Sequence, residues 1–179
     1  YVRAKLMWDA EADVKALVRD YCRKFYAKAA DVVEEYIWTL ESAVEQTTSH
    51  QTWGRLMQWE TIFPPVQQKL DYLMSQAEEL VQDSRSRKRI QVLRLVHNHM
   101  KSYVRMEQFV AQGKFQVGLE WADKMMSIRD EVSIIKPGLL PHTPEWARDF
   151  RTTLEWHKEI YQDLAGKAGG QEGKLLTLL

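Results

Sequence analysis

Apolar residues recur at steps of three and four along most of this chain, and nowhere do they alternate with polar residues over a strand's length. Val14, Leu17, Val18, Tyr21, Cys22 and Phe25 follow one helical stripe. Ala29, Val32, Val33, Tyr36, Ile37, Leu40 and Val44 follow a second, with Asp31, Glu34, Glu35, Glu41 and Glu45 on the opposite, water-facing side. Glycine (8) and proline (5) are scarce and gathered at a few places, so those places punctuate the chain. The pattern predicts an all-α fold: an antiparallel bundle of five or six helices joined by short turns.

The punctuation gives the helix order. Asp9 is expected to cap the first helix, with Glu11 and Asp13 in its first turn. Residues 46–63 lose the periodicity and read as a loop with at most a short helix. Phe63-Pro64-Pro65 opens a third helix whose seam is Val66, Leu70, Leu73, Ala77 and Leu80. Asp83 and Ser84 break it or cap the next. The long fourth helix places Ile90, Leu93, His97, Met100 and Val104 on one face and ends at Gly113. A fifth carries Phe115, Leu119, Ala122, Met126 and Val132, and Pro137-Gly138 with Pro141 terminates it. Thr143-Pro144-Glu145 starts a sixth, with Trp146, Phe150, Leu154, His157, Tyr161 and Leu164 inside. The expected division is 1–10 as the end of a preceding domain, 11–165 as the bundle, and 166–179 as a polar, glycine-rich tail.

Composition excludes more than it selects. The 179 residues suffice for a core of their own. Lys+Arg and Asp+Glu are both 25, so no global field draws in nucleic acid or an anionic membrane. No apolar run approaches the roughly 20 residues that span a bilayer. A single cysteine, Cys22, allows no internal disulfide and sits on a buried stripe, as an inert thiol would.

Candidate chemistry is thin. His97 and His99 stand two apart, and on a helix their side chains point about 200° apart, so they cannot share one metal ion. His97 and His157 lie on apolar seams and read as core histidines. Arg85, Arg87, Lys88 and Arg89 form a basic run, which reads as a solvated helix start because no second basic cluster or interleaved aromatic supports binding. The carboxylate pairs Glu34/Glu35, Glu78/Glu79, Asp130/Glu131 and Glu155/Glu159 lie on helix faces, not across a cleft. No Glu-x-x-His, His-Glu-x-x-His, Cys-x-x-Cys or glycine-rich phosphate loop occurs, so neither a metal nor a cofactor is expected. His50, Trp53 and Trp59 stand out in the aperiodic stretch. A flat apolar face beside imidazole and amide groups suits a sugar ring, and the competing reading makes Trp53 and Trp59 plugs at the bundle end.

One resemblance adds to this. Tyr1, Ala4, Lys5, Leu6, Trp8 and Asp9, then Ala12-Asp13-Val14, Ala16-Leu17, Asp20-Tyr21, Phe25-Tyr26, Ala29-Ala30 and Glu35-Tyr36, resemble a segment of large bacterial carbohydrate-active proteins. They belong to a family of unknown function similar in architecture to α-glucuronidases and β-N-acetylhexosaminidases. The resemblance covers residues 1 to about 45. It implies that a glycoside-hydrolase-like (β/α)8 barrel precedes Tyr1 and holds the catalytic carboxylates. This chain would then be its non-catalytic helical C-terminal domain, with His50, Trp53 and Trp59 as substrate contacts. It also implies a secreted or periplasmic location, with the barrel, a carbohydrate and a second copy as candidate partners. The family has Tyr-Tyr-Gly-Pro-Ala between its first two helices. Here Ala27-Lys28 follows Tyr26, so the two helices are expected to run on with only a kink.

The alternative is a stand-alone helical interaction module. The first residues discriminate. Val2, Leu6, Met7 and Trp8 should be exposed if they belong against a barrel, and buried in the chain's own core otherwise.

Overall fold

The computed structural model describes residues 1–47, 59–135, 159, 160, 162–164, 166 and 167; of Trp59 and Glu60 it describes the backbone. These residues are mostly helical, with no strand among them. The helices are α1 (Val2–Trp8), α2 (Val14–Tyr26), α3 (Ala30–Glu45), α4 (Trp59–Ile62), α5 (Gln67–Leu80), α6 (Ser84–Ala111) and α7 (Phe115–Ile135), with a 3₁₀ turn at Ala27–Ala29. The all-α expectation holds. Two compact units are present, Tyr1–Arg94 and Leu95–Leu179.

In the first unit, α2 begins at Val14, one turn later than expected. Asp13, not Asp9, is the N-cap: its Oδ1 accepts from the backbone N–H of Lys15 (2.8 Å) and Ala16 (3.3 Å). Asp9 instead ends α1, and its side chain accepts from the N–H of Glu11 as an Asx turn. The two aspartates are equivalent on paper. Only the one whose chain is already helical on its C-terminal side can cap.

The expected run-on from α2 to α3 does not occur. Arg19 Nε lies 3.3 Å from Glu34 Oε1, which fifteen residues of continuous helix would hold roughly 22 Å apart. The chain folds back instead, so α2 and α3 pack antiparallel. The reversal sits at Ala27, with φ 49° and ψ −115°. That is the conformation of the first central residue of a type II′ turn, which favours glycine. The absence of Gly-Pro therefore did not remove the break; a strained alanine makes it. The burial gained by folding back offsets that strain: Val18, Cys22 and Tyr26 of α2 meet Ala30, Val33 and Tyr36 of α3.

Helix α5 lays Leu70, Leu73, Met74 and Ala77 against α3, close to the expected seam, while Leu80 at its end is exposed. Phe63, in the turn before α5, is fully buried. Asp83 caps α6, accepting from the N–H of Ser86 at 2.8 Å. This holds its carboxyl below the usual range, the amide hydrogen bond being the main cause. Arg94 on α6 grips Glu78 on α5 through two hydrogen bonds of 2.8 and 2.6 Å.

In the second unit, α6 and α7 form an antiparallel hairpin. Met106 packs with Ala122 and Met125, and Leu95 with Ile128 and Val132. Gly113 terminates α6 as expected. Its φ is +72°, its N–H bonds to Val110 O (2.9 Å), and the N–H of Lys114 bonds to Phe109 O (2.9 Å), the paired bonds of a Schellman ending. Met125, rather than Met126, is the fully buried methionine, with Met126 packing at the margin. Residues 159, 160, 162–164, 166 and 167 are helical, as expected for the end of the sixth predicted helix. Thr143 to His157 lie outside the described residues.

Candidate functional site

Helix α3 ends in a neutral polar face. Thr39, Ser42 and the C-cap Gln46 follow steps of three and four, so they share one side of its last turns, and Thr47 follows just past its end. Opposite them stand Thr61 and Ile62 at the end of α4, and Pro65, Val66 and Lys69 where α5 begins. Together with Ala43 these residues line a cleft of about 440 Å³ in the first unit. The lining brings hydroxyls and an amide together with the apolar Ile62, Pro65 and Val66. Gln46 Nε2 donates to Ser42 Oγ at 3.0 Å, which fixes both side chains. Lys69, the one charged lining residue, is paired with Glu35 at 2.9 Å.

The described lining offers hydrogen-bonding groups beside apolar ones. Glycoside hydrolysis uses two carboxyl groups flanking the bond, about 5 to 9 Å apart. Among the described residues no carboxylate lines the cleft. Neutral hydroxyl and amide groups beside apolar side chains suit an uncharged polyhydroxylated ligand, which has both hydroxyls and C–H faces.

The cleft stands at the two ends of the stretch that holds the sequence-predicted contacts. Thr47 precedes that stretch and Thr61 follows it. His50 and Trp53 lie outside the described residues, and Trp59 opens α4. The sequence reading missed Thr39, Ser42, Gln46, Thr61 and Lys69. A signal existed in the spacing of neutral polar residues along α3, but the acidic face beside it drew the eye.

Other candidates resolve as structural. His97 is fully buried, as expected. His99 is partly buried, and among the described residues its Nε2 has no hydrogen-bond partner. Burial, with Arg129 adding to it, lowers its pKa to about 4. It is therefore neutral at pH 7. Among the described residues no group of three His, Cys, Asp or Glu could hold a metal ion. Cys22 is buried, and desolvation, helped by the nearby Glu34 and Asp31 carboxylates, pushes its thiol up to about 11. That is the opposite of an activated nucleophile. No helix among the described residues is long and apolar enough to cross a membrane.

A family model described as a domain of unknown function, DUF4838, matches residues 1–38. That span covers α1, α2, the 3₁₀ turn and the first half of α3. Comparisons with curated proteins and with solved structures return no match.

Proposed function

We propose that this chain is the non-catalytic helical part of a glycoside-hydrolase-like barrel protein acting on a polysaccharide or glycoconjugate. Helix α1 packs against that barrel, and the cleft between α3 and α5 holds a neutral saccharide unit. One observation carries the first statement. Helix α1 has no buried residue, and Met7 and Trp8 are 82% and 95% exposed. Val2 and Leu6 are half-buried where α1 meets α2, and among the described residues nothing covers Met7 and Trp8, as a self-contained interaction module would. Covering two such side chains is worth about 1.5–3 kcal/mol each. Such an uncovered patch marks a surface that another domain occupies. The matched family segment begins with this helix. The cleft, with no carboxylate among its described lining residues, fits a supporting wall, with catalysis performed elsewhere. His50, Trp53 and Trp59 are proposed to complete the saccharide contacts.

The test begins with the coding sequence upstream of Tyr1 and a protein that includes it. The reading expects about eight strand–helix alternations with acidic residues at strand ends. It also expects the Trp8 fluorescence, taken as wild type minus W8F, to shift to the blue and resist acrylamide quenching in the longer protein only. An unrelated upstream module, or a Trp8 equally quenched in both, refutes it.

A further inference from the structure

Read along the sequence, the Arg85–Arg89 run has no second basic cluster to work with. The fold supplies one. Arg89 reaches across from α6 to the end of α2. Its guanidinium donates to Phe25 O at 2.8 Å and Lys24 O at 3.4 Å, and lies 4.3 Å over the Phe25 ring. Lys28 Nζ donates to Gln82 Oε1 at 2.7 Å, and Arg87 donates to Gln82 O at 3.4 Å. Cations from two stretches some sixty residues apart thus converge on one residue. Neither stretch brings an acid: 21–30 and 84–106 contain no Asp or Glu.

Two of the carboxylates next to these stretches are committed, while Asp31, which follows Ala30, is exposed. Asp20 bonds to Lys24 and Tyr1, and Asp83 to the amide of Ser86. Arg23, Arg85 and Lys88 are exposed, and among the described residues they make no ion pair or hydrogen bond. Gathering like charges in this way is unfavourable through self-repulsion, and an anion relieves it.

We propose that this joined basic surface docks an extended acidic polysaccharide, a chain bearing uronate or sulfate groups. Three features select that chemistry. A single small anion would use the free amides of the α6 N-terminus, and Asp83 already occupies them. A single-stranded nucleic acid would need exposed rings to stack on. Here the Phe25 face is covered by Arg89, and Tyr21 packs among Tyr1, Phe25 and Tyr26. What remains is a set of exposed cations across two helix ends, suited to regularly spaced charges and to nothing that reads bases. The preference for a polysaccharide over duplex nucleic acid rests on the proposed function above.

The test is equilibrium binding of this chain to heparin, to polygalacturonate and to a short duplex DNA at low and rising salt. Binding to at least one polysaccharide, tighter than to DNA and weakening as salt rises, is the expected result. R85E/K88E should lose roughly tenfold or more in affinity. K15E, a charge reversal at the opposite end of α2, should lose less than about twofold. R85Q/K88Q, checked for helical content by circular dichroism, serves if the reversals disturb folding. No binding at low salt, equal losses in K15E and the patch variants, or tighter binding to DNA each overturns the proposal. Patch-dependent polysaccharide binding alongside a Trp8 that stays exposed in the longer protein would keep this inference and sink the barrel reading. The reverse pair of results would sink this inference alone.

Discussion

Replacing Ala27 with glycine should stabilise the protein, which few glycine substitutions do. Ala27 joins α2 to the 3₁₀ turn at φ 49° and ψ −115°, where an L side chain crowds its own backbone. Residues held in such sparsely populated regions cost about 1–3 kcal/mol. Glycine removes that cost but loosens the unfolded chain by about 0.4–1 kcal/mol. Ala27 is solvent-exposed, so no packing is lost. The balance is a gain of about 1 kcal/mol, which raises Tm by about 2–4 °C in a chain of this size. The assay is urea and thermal unfolding followed by circular dichroism at 222 nm, with A27V as the opposing control. Valine is β-branched and should destabilise by at least the amount glycine gains. The sign decides the matter. If α2 and α3 ran on as one helix, Ala27 would be a helix-interior residue and A27G would cost about 0.5–1 kcal/mol. A fall in stability for A27G would refute the hairpin reversal.

Two further outcomes follow from the second unit. A methyl group at Gly118 of α7 would stand 2.8 Å from Val110 Cγ2 of α6. Overpacking of that kind costs about 1–3 kcal/mol, against about 1 kcal/mol of better helix propensity. G118A should therefore destabilise by about 1 kcal/mol in urea unfolding, and G118A/V110A should recover part of the loss. His99 should make stability pH-dependent. Its folded pKa, about 4, lies below the usual unfolded value of about 6.5, so the unfolded chain takes up the proton first. The stabilisation is complete above pH 6.5 and is lost as pH falls towards 4, by an amount on the order of 2–3 kcal/mol. H99L should flatten that part of the profile relative to wild type. An unchanged slope between pH 6.5 and 4 would show that His99 is solvated in the folded state.

Some of this molecule was legible in residue order because the governing interactions are local. A stripe at steps of three and four commits a segment to a helix whatever it later touches. Gly113 ends α6 because a positive φ is a property of that one position. The Pro64-Pro65 turn and the Asp83 cap are local in the same sense. Sequence alone thus determined the helix content, the helix order and the buried faces of α2, α3 and α5.

Tertiary structure decided the rest. Which of Asp9 and Asp13 caps, and whether Ala27 bends or breaks the chain, depended on whether α2 gains more by packing on α3 than the turn costs. Met125 displaced Met126 from the centre of the α6–α7 hairpin because antiparallel packing against Met106 fixes the rotation of α7. The cleft between α3 and α5 needs side chains from both sides of the intervening stretch. The basic surface needs Arg89 to cross to Phe25. Those pairings join positions far apart along the chain. Periodicity reports which face of a helix is buried and is silent on which partner covers it, so only the folded chain could supply them.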